Sequence, residues 1–451
     1  MFQSLIELNP NIKQQLMKWR LFPKLIMMCS VNKTHIIFVS ILTFLLLSYK
    51  LTWPFWGHHE FNGVYYGMIA KNYLRYGLWA TKGGQVNNLY PALPSEWSYH
   101  VNHPATYPLL LALSFRMFGV TEVTARLVSI IASVLGVVFL AKLLSALYKD
   151  HVAWLAAVVV IFSPLFLYFG SLPVFEPILF PVVTLGLWRY FITRRIKFPG
   201  SVIIVSFAAS LIDWPGFWLP VSLIVYEWLT RKRKKLILFL VATTLLAFFI
   251  IIAHQAIVTG SALENLKGVF EYRFSVTKQP YTPIAWVRLL AARTRAFWGL
   301  PIIVASGIGY LLAFRGTRKL GGFLSAILAL GLAHILVFRN ITWYHDYMLY
   351  HTIPFVGASL GSLLSFVFRK TRSRIAVYML VAILIGLTIT TTNAFFIALA
   401  SMNGYKDCTE MAYAARTNPT PLTFRLSQEK AKECPPFVGF YAEKPFGIKA
   451  Y

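Results

Sequence analysis

Apolar runs of about twenty residues, joined by short polar segments, recur along most of this 451-residue chain. Each is long enough to cross roughly 30 Å of hydrocarbon as a helix. Read in order they are 35–54, 121–147, 152–170, 174–192, 236–258, 296–314, 320–338, 347–367 and 375–401. The stretch 200–229 is longer and is interrupted by Asp213-Trp214-Pro215-Gly216. Pro and Gly end helices and Asp is costly in lipid, so this stretch is predicted to cross twice. The pattern predicts an all-α polytopic membrane protein with about eleven transmembrane helices.

Composition agrees. Hydrophobic residues make up 57% of the chain and charged ones 13%, where a soluble protein carries roughly a quarter charged. The formal charge of +27 invites a nucleic-acid reading, but the basic residues fall in short clusters between apolar runs. These are TRRIK at 193–197, RKRKK at 231–235, RGTRK at 315–319 and RKTRSR at 369–374. Basic short loops mark the cytoplasmic side of a multispan protein, and once they are assigned no basic stripe is left for nucleic acid.

The same clusters set the topology. Residues 1–34, with Lys13, Lys18, Arg20, Lys24 and Lys33, form a basic cytoplasmic segment ahead of a full-length span, with no cleavable signal. Residues 35–401 form the transmembrane domain. Within it, 55–119 reads as one large outer loop carrying surface helices near 61–77 and 104–118, because counting 104–118 as a crossing would turn TRRIK outward. A second substantial outer loop is 260–295, and the tail 402–451 ends outside. The expected location is the inner (plasma) membrane, with the amino end cytoplasmic and the carboxyl end extracytoplasmic. Cys408 and Cys434 in the tail are either a disulfide, as an oxidising compartment permits, or two unrelated thiols.

Only 16 acidic residues are present, so their placement is informative. Glu60, Glu176, Asp213 and Asp346 all fall where apolar sequence meets the outer surface. A carboxylate there is expensive and signals a function or a paired structural role. Glu60 follows His58 and His59 and precedes an amphipathic helix containing Asn62 and Tyr66, which suits a general base acting on a hydroxyl. A metal on His58 and His59 is the alternative, but adjacent His residues point in different directions and no further ligand is evident, so no metal cofactor is favoured. His103, before Pro104, is a candidate donor to phosphate or sugar hydroxyls, or a helix cap. Arg273 and Arg293 in the second loop suit a phosphate, since guanidinium forks match its oxygens, or the lipid headgroups. His345, Asp346 and Tyr347 stand together at the outer start of another span.

The segments YYGMIAKNYLRYG, HPATYPLLLALSFRMFGVTEVTARLVSII, SPLFLYFGSLPVFEP, DWPG and HDYMLYHTIPFVGASLG are collinear over roughly residues 35–400. Together they resemble the protein O-mannosyltransferase-like branch of the GT-C glycosyltransferases, which includes the aminoarabinose transferase of lipid A. His59-Glu60 stands where that family carries Asp-Glu, aligning the helix brings Asn62 near the Asp position, and His103-Pro104-Ala105 replaces His-Pro-Pro.

The resemblance implies a GT-C fold, a donor sugar on a polyprenyl phosphate, and catalysis that usually needs no metal. It implies Glu60 as catalytic base and Glu176 as the second catalytic carboxylate. His59, Asn62, Tyr66, His103, Asp213, Arg273, Arg293, His345, Asp346 and Tyr347 would bind substrate. The expected activity is inverting transfer of a sugar to an acceptor hydroxyl of lipid, glycan or protein on the extracytoplasmic face. The competing class is a transporter or flippase, in which broken helices and intramembrane charge also occur.

Overall fold

The structure, a computed structural model, describes residues 32–149, 151–194, 196, 199–230, 232–274, 281–418, 420, 422–442 and 447–450. The amino-terminal segment through residue 31, with Glu7 and Cys29, lies outside the described residues, as do Asp150, Arg195, Lys197 and Arg231.

The chain begins with α1 (Lys33–Leu47). The first loop carries α2 (Phe61–Tyr76), strands β1 (Gln85–Val86) and β2 (Tyr99–His100), and α3 (Thr106–Phe118). The helical body continues as α4 (Glu122–Tyr148), α5 (Leu155–Ile161), α6 (Pro164–Phe169), α7 (Phe175–Ile192), α8 (Gly200–Ile212), α9 (Trp218–Thr230) and α10 (Lys234–Thr259). Next come α11 (Ala262–Phe274), α12 (Pro283–Gly316), α13 (Arg318–Val337), α14 (Arg339–Tyr344), a 3-10 turn at Asp346–Thr352, α15 (Ile353–Thr371) and α16 (Arg374–Ser401). The tail holds α17 (Lys406–Thr417), β3 (Thr423–Leu426), α18 (Gln428–Glu433), α19 (Pro435–Tyr441) and β4 (Gly447–Ala450).

Among the described residues, eight helical stretches are long and apolar enough to cross a membrane. The other expected crossings are built from shorter pieces. At 152–170 the helix breaks at Ser163, whose side chain caps Phe166 while Pro164 opens the next turn, a position where its missing N–H costs nothing. At 200–229 the break falls at the predicted place. Asp213 is extended and its carboxylate accepts from the Trp214 N–H, with a 3-10 turn over Trp214–Phe217 before α9. One boundary differs: the helix expected from residue 296 starts at Pro283, and left-handed Gly299 kinks it.

Lipid offers no hydrophobic drive between helices, so close packing must come from small residues. Gly136 on α4 faces the Phe180 ring of α7, with no room for a side chain between them, and Ser133 on α4 donates to the Gly170 carbonyl at 2.8 Å. Helix α10 instead exposes Leu238, Leu245, Leu246 and Phe249, a face suited to acyl chains.

The tail is docked rather than appended. Cys408 and Cys434 form a disulfide that ties α17 to the start of α19. Phe440 then packs against Gly67 and Phe55 in the first loop. Lys71 donates to the Phe440 carbonyl at 2.6 Å, and the Phe55 N–H donates to the Tyr441 hydroxyl at 3.1 Å.

Candidate active site

Glu60 ends the first turn of the outer loop and is buried. One carboxylate oxygen accepts from Arg126 at 3.0 Å and forms an ion pair with the Lys50 ammonium at 3.1 Å; the other accepts the Trp56 and Gly57 N–H groups at 3.1 and 3.0 Å. Arg126 also donates to the carbonyls of Leu51, Trp53 and Pro54, and the Lys50 ammonium lies 3.8 Å from the centre of the Tyr168 ring. Burial alone would raise the carboxyl pKa, but Lys50, Arg126 and the Gly57 N–H outweigh it and hold it at about 2. The carboxylate expected as the base is thus engaged on both oxygens. A carboxylate with two cations and two N–H groups already on it has poor basicity and no free lone pair aimed at a substrate. Asn62 is likewise turned inward and donates to the His59 carbonyl at 3.0 Å.

The groups that do converge come from α2, the first loop, α7, the break at Asp213, α11, α12 and the 3-10 turn. His103 lies 2.7 Å from the Asp213 carboxylate through Nδ1, and its Nε2 is 3.4 Å from the Arg273 guanidinium. Arg273 is anchored by the Asn102 carbonyl at 3.0 Å, and its Nε is buried with no hydrogen-bond partner. Phe175 stacks on His103 at 4.6 Å and meets Tyr66 edge-on at 5.2 Å. That holds the neighbouring Glu176 within electrostatic reach of Asp213, Tyr66 and Tyr347. Glu176 is buried, and its Oε2 has no hydrogen-bond partner. Arg293 donates to the Thr342 carbonyl at 2.6 Å and lies within electrostatic reach of Asp346. Asp346 sits between His58 and His59, with Tyr347 against the ring of His59 at 5.0 Å.

Sequence reasoning missed Lys50, Arg126, His334 and His351. His334 is buried on α13, and neither ring nitrogen has a partner; Nε2 of His351 is unpartnered too. His334 interrupts an otherwise apolar helix, a polar residue at a cost that itself signals a site. His100, beside His103, is driven down to a pKa of about 3 by burial, so its ring is neutral at ordinary pH. Asn340, which opens a glycosylation-like Asn-Ile-Thr triplet, is buried and donates to the Tyr272 carbonyl, which leaves it no access to modification.

A cavity of about 200 Å³ reaches His103 between the first loop, α8 and α10. His100, His103 and Gln255 line its polar end, and Leu109, Leu211 and Ile250 are among its apolar walls.

No protein-family model and no curated protein sequence matches this chain. The fold is similar to that of ArnT from Cupriavidus metallidurans bound to undecaprenyl phosphate, with a TM-score of 0.64 at 13% identity over 92% of this chain and 86% of that one. It is also similar to the Archaeoglobus fulgidus oligosaccharyltransferase in complex with zinc and sulfate, with a TM-score of 0.57 at 14% identity over 91% of this chain and 62% of that one. The chain thus has the all-α GT-C fold that the sequence resemblance implied.

Proposed function

We propose that the protein transfers a sugar from a polyprenyl-phosphate carrier to an acceptor hydroxyl at the outer membrane face, with inversion. The observation that carries this reading is Glu176. Of the four boundary carboxylates, Glu60, Asp213 and Asp346 each lie 2.7–3.1 Å from a cation or an imidazole, whereas Glu176 has a buried oxygen without a hydrogen-bond partner and, among the described residues, no ion pair. Arg273 and His103 stand on the same side of Phe175.

In this mechanism Glu176 takes the acceptor proton as the hydroxyl oxygen bonds to the anomeric carbon. The bond from that carbon to the phosphate oxygen breaks, and its electron pair leaves with the polyprenyl phosphate. Arg273 and His103 meet the charge on that leaving group, an electrostatic role of the oxyanion-hole kind. This cavity suits the carrier, since its apolar walls fit a prenyl chain and its polar end fits the phosphate. A polyprenyl-phosphate donor accords with the undecaprenyl phosphate bound in the similar ArnT structure, and a lipid, glycan or protein supplies the hydroxyl. The basic loops favour a cytoplasmic amino end and an extracytoplasmic site and tail. None of these steps requires a metal.

The test is release of free polyprenyl phosphate by purified protein in a bilayer mimetic, across a panel of polyprenyl-phosphate sugars. Release should require an acceptor and should fall by about two to four orders of magnitude in folded Glu176→Gln. Full activity in that variant would remove Glu176 from the reaction. Absence of binding and release across the panel would favour the transporter reading.

A further inference from the structure

We propose that His58, His59 and Asp346 form a binding site for a divalent transition-metal ion of the zinc class. The proposal stands on ligand geometry and does not depend on the sugar-transfer reading.

Adjacent histidines in a helix or strand point apart, which argues against a shared ion. Here the backbone at His59 is left-handed, with φ of 58°, an uncommon conformation for a residue with a Cβ. The two rings consequently lie on the same side, with centroids 3.9 Å apart, and both face one carboxylate. His58 Nε2 is 2.9 Å from one Asp346 oxygen, and His59 Nε2 is 2.9 Å from the other. All three ligand atoms lie within 4.8 Å of one another. Ligands around a tetrahedral zinc ion, at about 2.0–2.2 Å from the metal, stand about 3.3 Å apart. The two His–Asp separations, at 2.9 Å, lie within a few tenths of an ångström of that spacing.

A purely internal ion pair explains the arrangement less well. The His59 and Asp346 atoms that face each other at 2.9 Å are buried, yet neither makes a hydrogen bond of acceptable geometry. Two protonated rings this close would also repel each other. One dication between two neutral imidazoles and a carboxylate satisfies all three. Two nitrogens and one oxygen suit zinc and its first-row neighbours and disfavour magnesium and calcium, which take oxygen sets.

Three protein ligands leave a fourth position open, as in zinc sites that bind an exchangeable group. His345, whose buried Nδ1 has no partner, stands beside it with its ring 5.7 Å from that of His59. Arg293, within electrostatic reach of Asp346, lies on the same approach. The open position therefore suits an anionic oxygen, and phosphate is the simplest such ligand.

The experiment uses the full chain, purified through a tag without histidine, placed in nanodiscs and stripped with chelator. Zinc is then titrated with bound metal counted by elemental analysis, and cobalt is used as a spectroscopic substitute. One saturable equivalent is expected, with a cobalt absorption typical of low coordination number. His58→Ala and His59→Gln should each weaken binding by at least about tenfold, and exposed His151→Ala should not. His58 is partly exposed at 27%, so its truncation leaves the fold intact, and a melting curve without metal verifies this. Zinc should raise the melting temperature of the unaltered protein and not that of the two variants. No saturable uptake by the stripped protein, or uptake that both variants retain at unchanged affinity, would overturn the proposal.

Discussion

Glu60→Gln separates anchor from base. The substitution keeps shape and leaves an amide oxygen for the Trp56 and Gly57 N–H groups, but it turns an NH2 group toward Lys50 and Arg126. Arg126 keeps the carbonyls of Leu51, Trp53 and Pro54. Lys50, whose side chain is 3% exposed, keeps the rings of Tyr168 and Tyr49 among its described contacts near the charge. Removing one partner of a buried pair costs about 3–5 kcal/mol, and the carbonyls on Arg126 place this case near the lower end, at about 3 kcal/mol. Thermal unfolding in detergent should show that loss. Activity corrected for folded fraction should fall far less than in Glu176→Gln. Adding Lys50→Met should restore part of the stability, because it removes the orphaned charge.

The pH dependence follows from the same carboxyl, whose pKa is lowered from 4.5 to about 2 on folding. The stability it lends is present above about pH 4.5 and is lost as pH falls toward 2. That component should be missing from the acid unfolding curve of Glu60→Gln. An unchanged melting temperature together with a hundredfold or greater loss of transfer would refute the anchor and return the base to Glu60.

Arg273→Ala should weaken donor binding by about 1.5–3 kcal/mol, the worth of a hydrogen bond to a charged group, read as a rise in Kd for polyprenyl phosphate. Gly67→Val should prise the tail from the first loop, since even a Cβ there would lie 2.6 Å from the Phe440 ring. The expected cost is about 1–3 kcal/mol, seen as faster proteolysis within 402–442. Reducing Cys408–Cys434, a closure over 26 residues, should cost the tail about 3–4 kcal/mol, measured by the same proteolysis with and without reductant.

Much of the architecture was legible because lipid forces a simple code. Apolar length marks a crossing, basic loops mark a side, and Pro215 with Gly216 marks the break after Asp213. The division of 155–169 at Ser163 was hidden because the flanking residues are uniformly apolar. The early start of α12 was hidden because its first turns carry Arg288, Arg293 and Arg295, which read as loop.

At the site, residue types were visible but their partners were not. Glu60 meets Arg126, His103 meets Asp213 and His59 meets Asp346 only through the folded bundle. Local sequence shows the aromatic neighbours of Glu60 and conceals the two cations that lie on its carboxylate. The convergence of His58 and His59 depends on a backbone conformation that no pattern of side chains announced.

The docked tail also bears on the order in which the protein matures. Phe55, at the threshold of the site, is held by Tyr441, a residue that leaves the ribosome 386 positions later. The loop therefore exists in the growing chain long before its clamp, and the clamp's cysteines must be oxidised before it is complete. On this arrangement a half-made chain can thread every helix and still lack the clamp on its first loop.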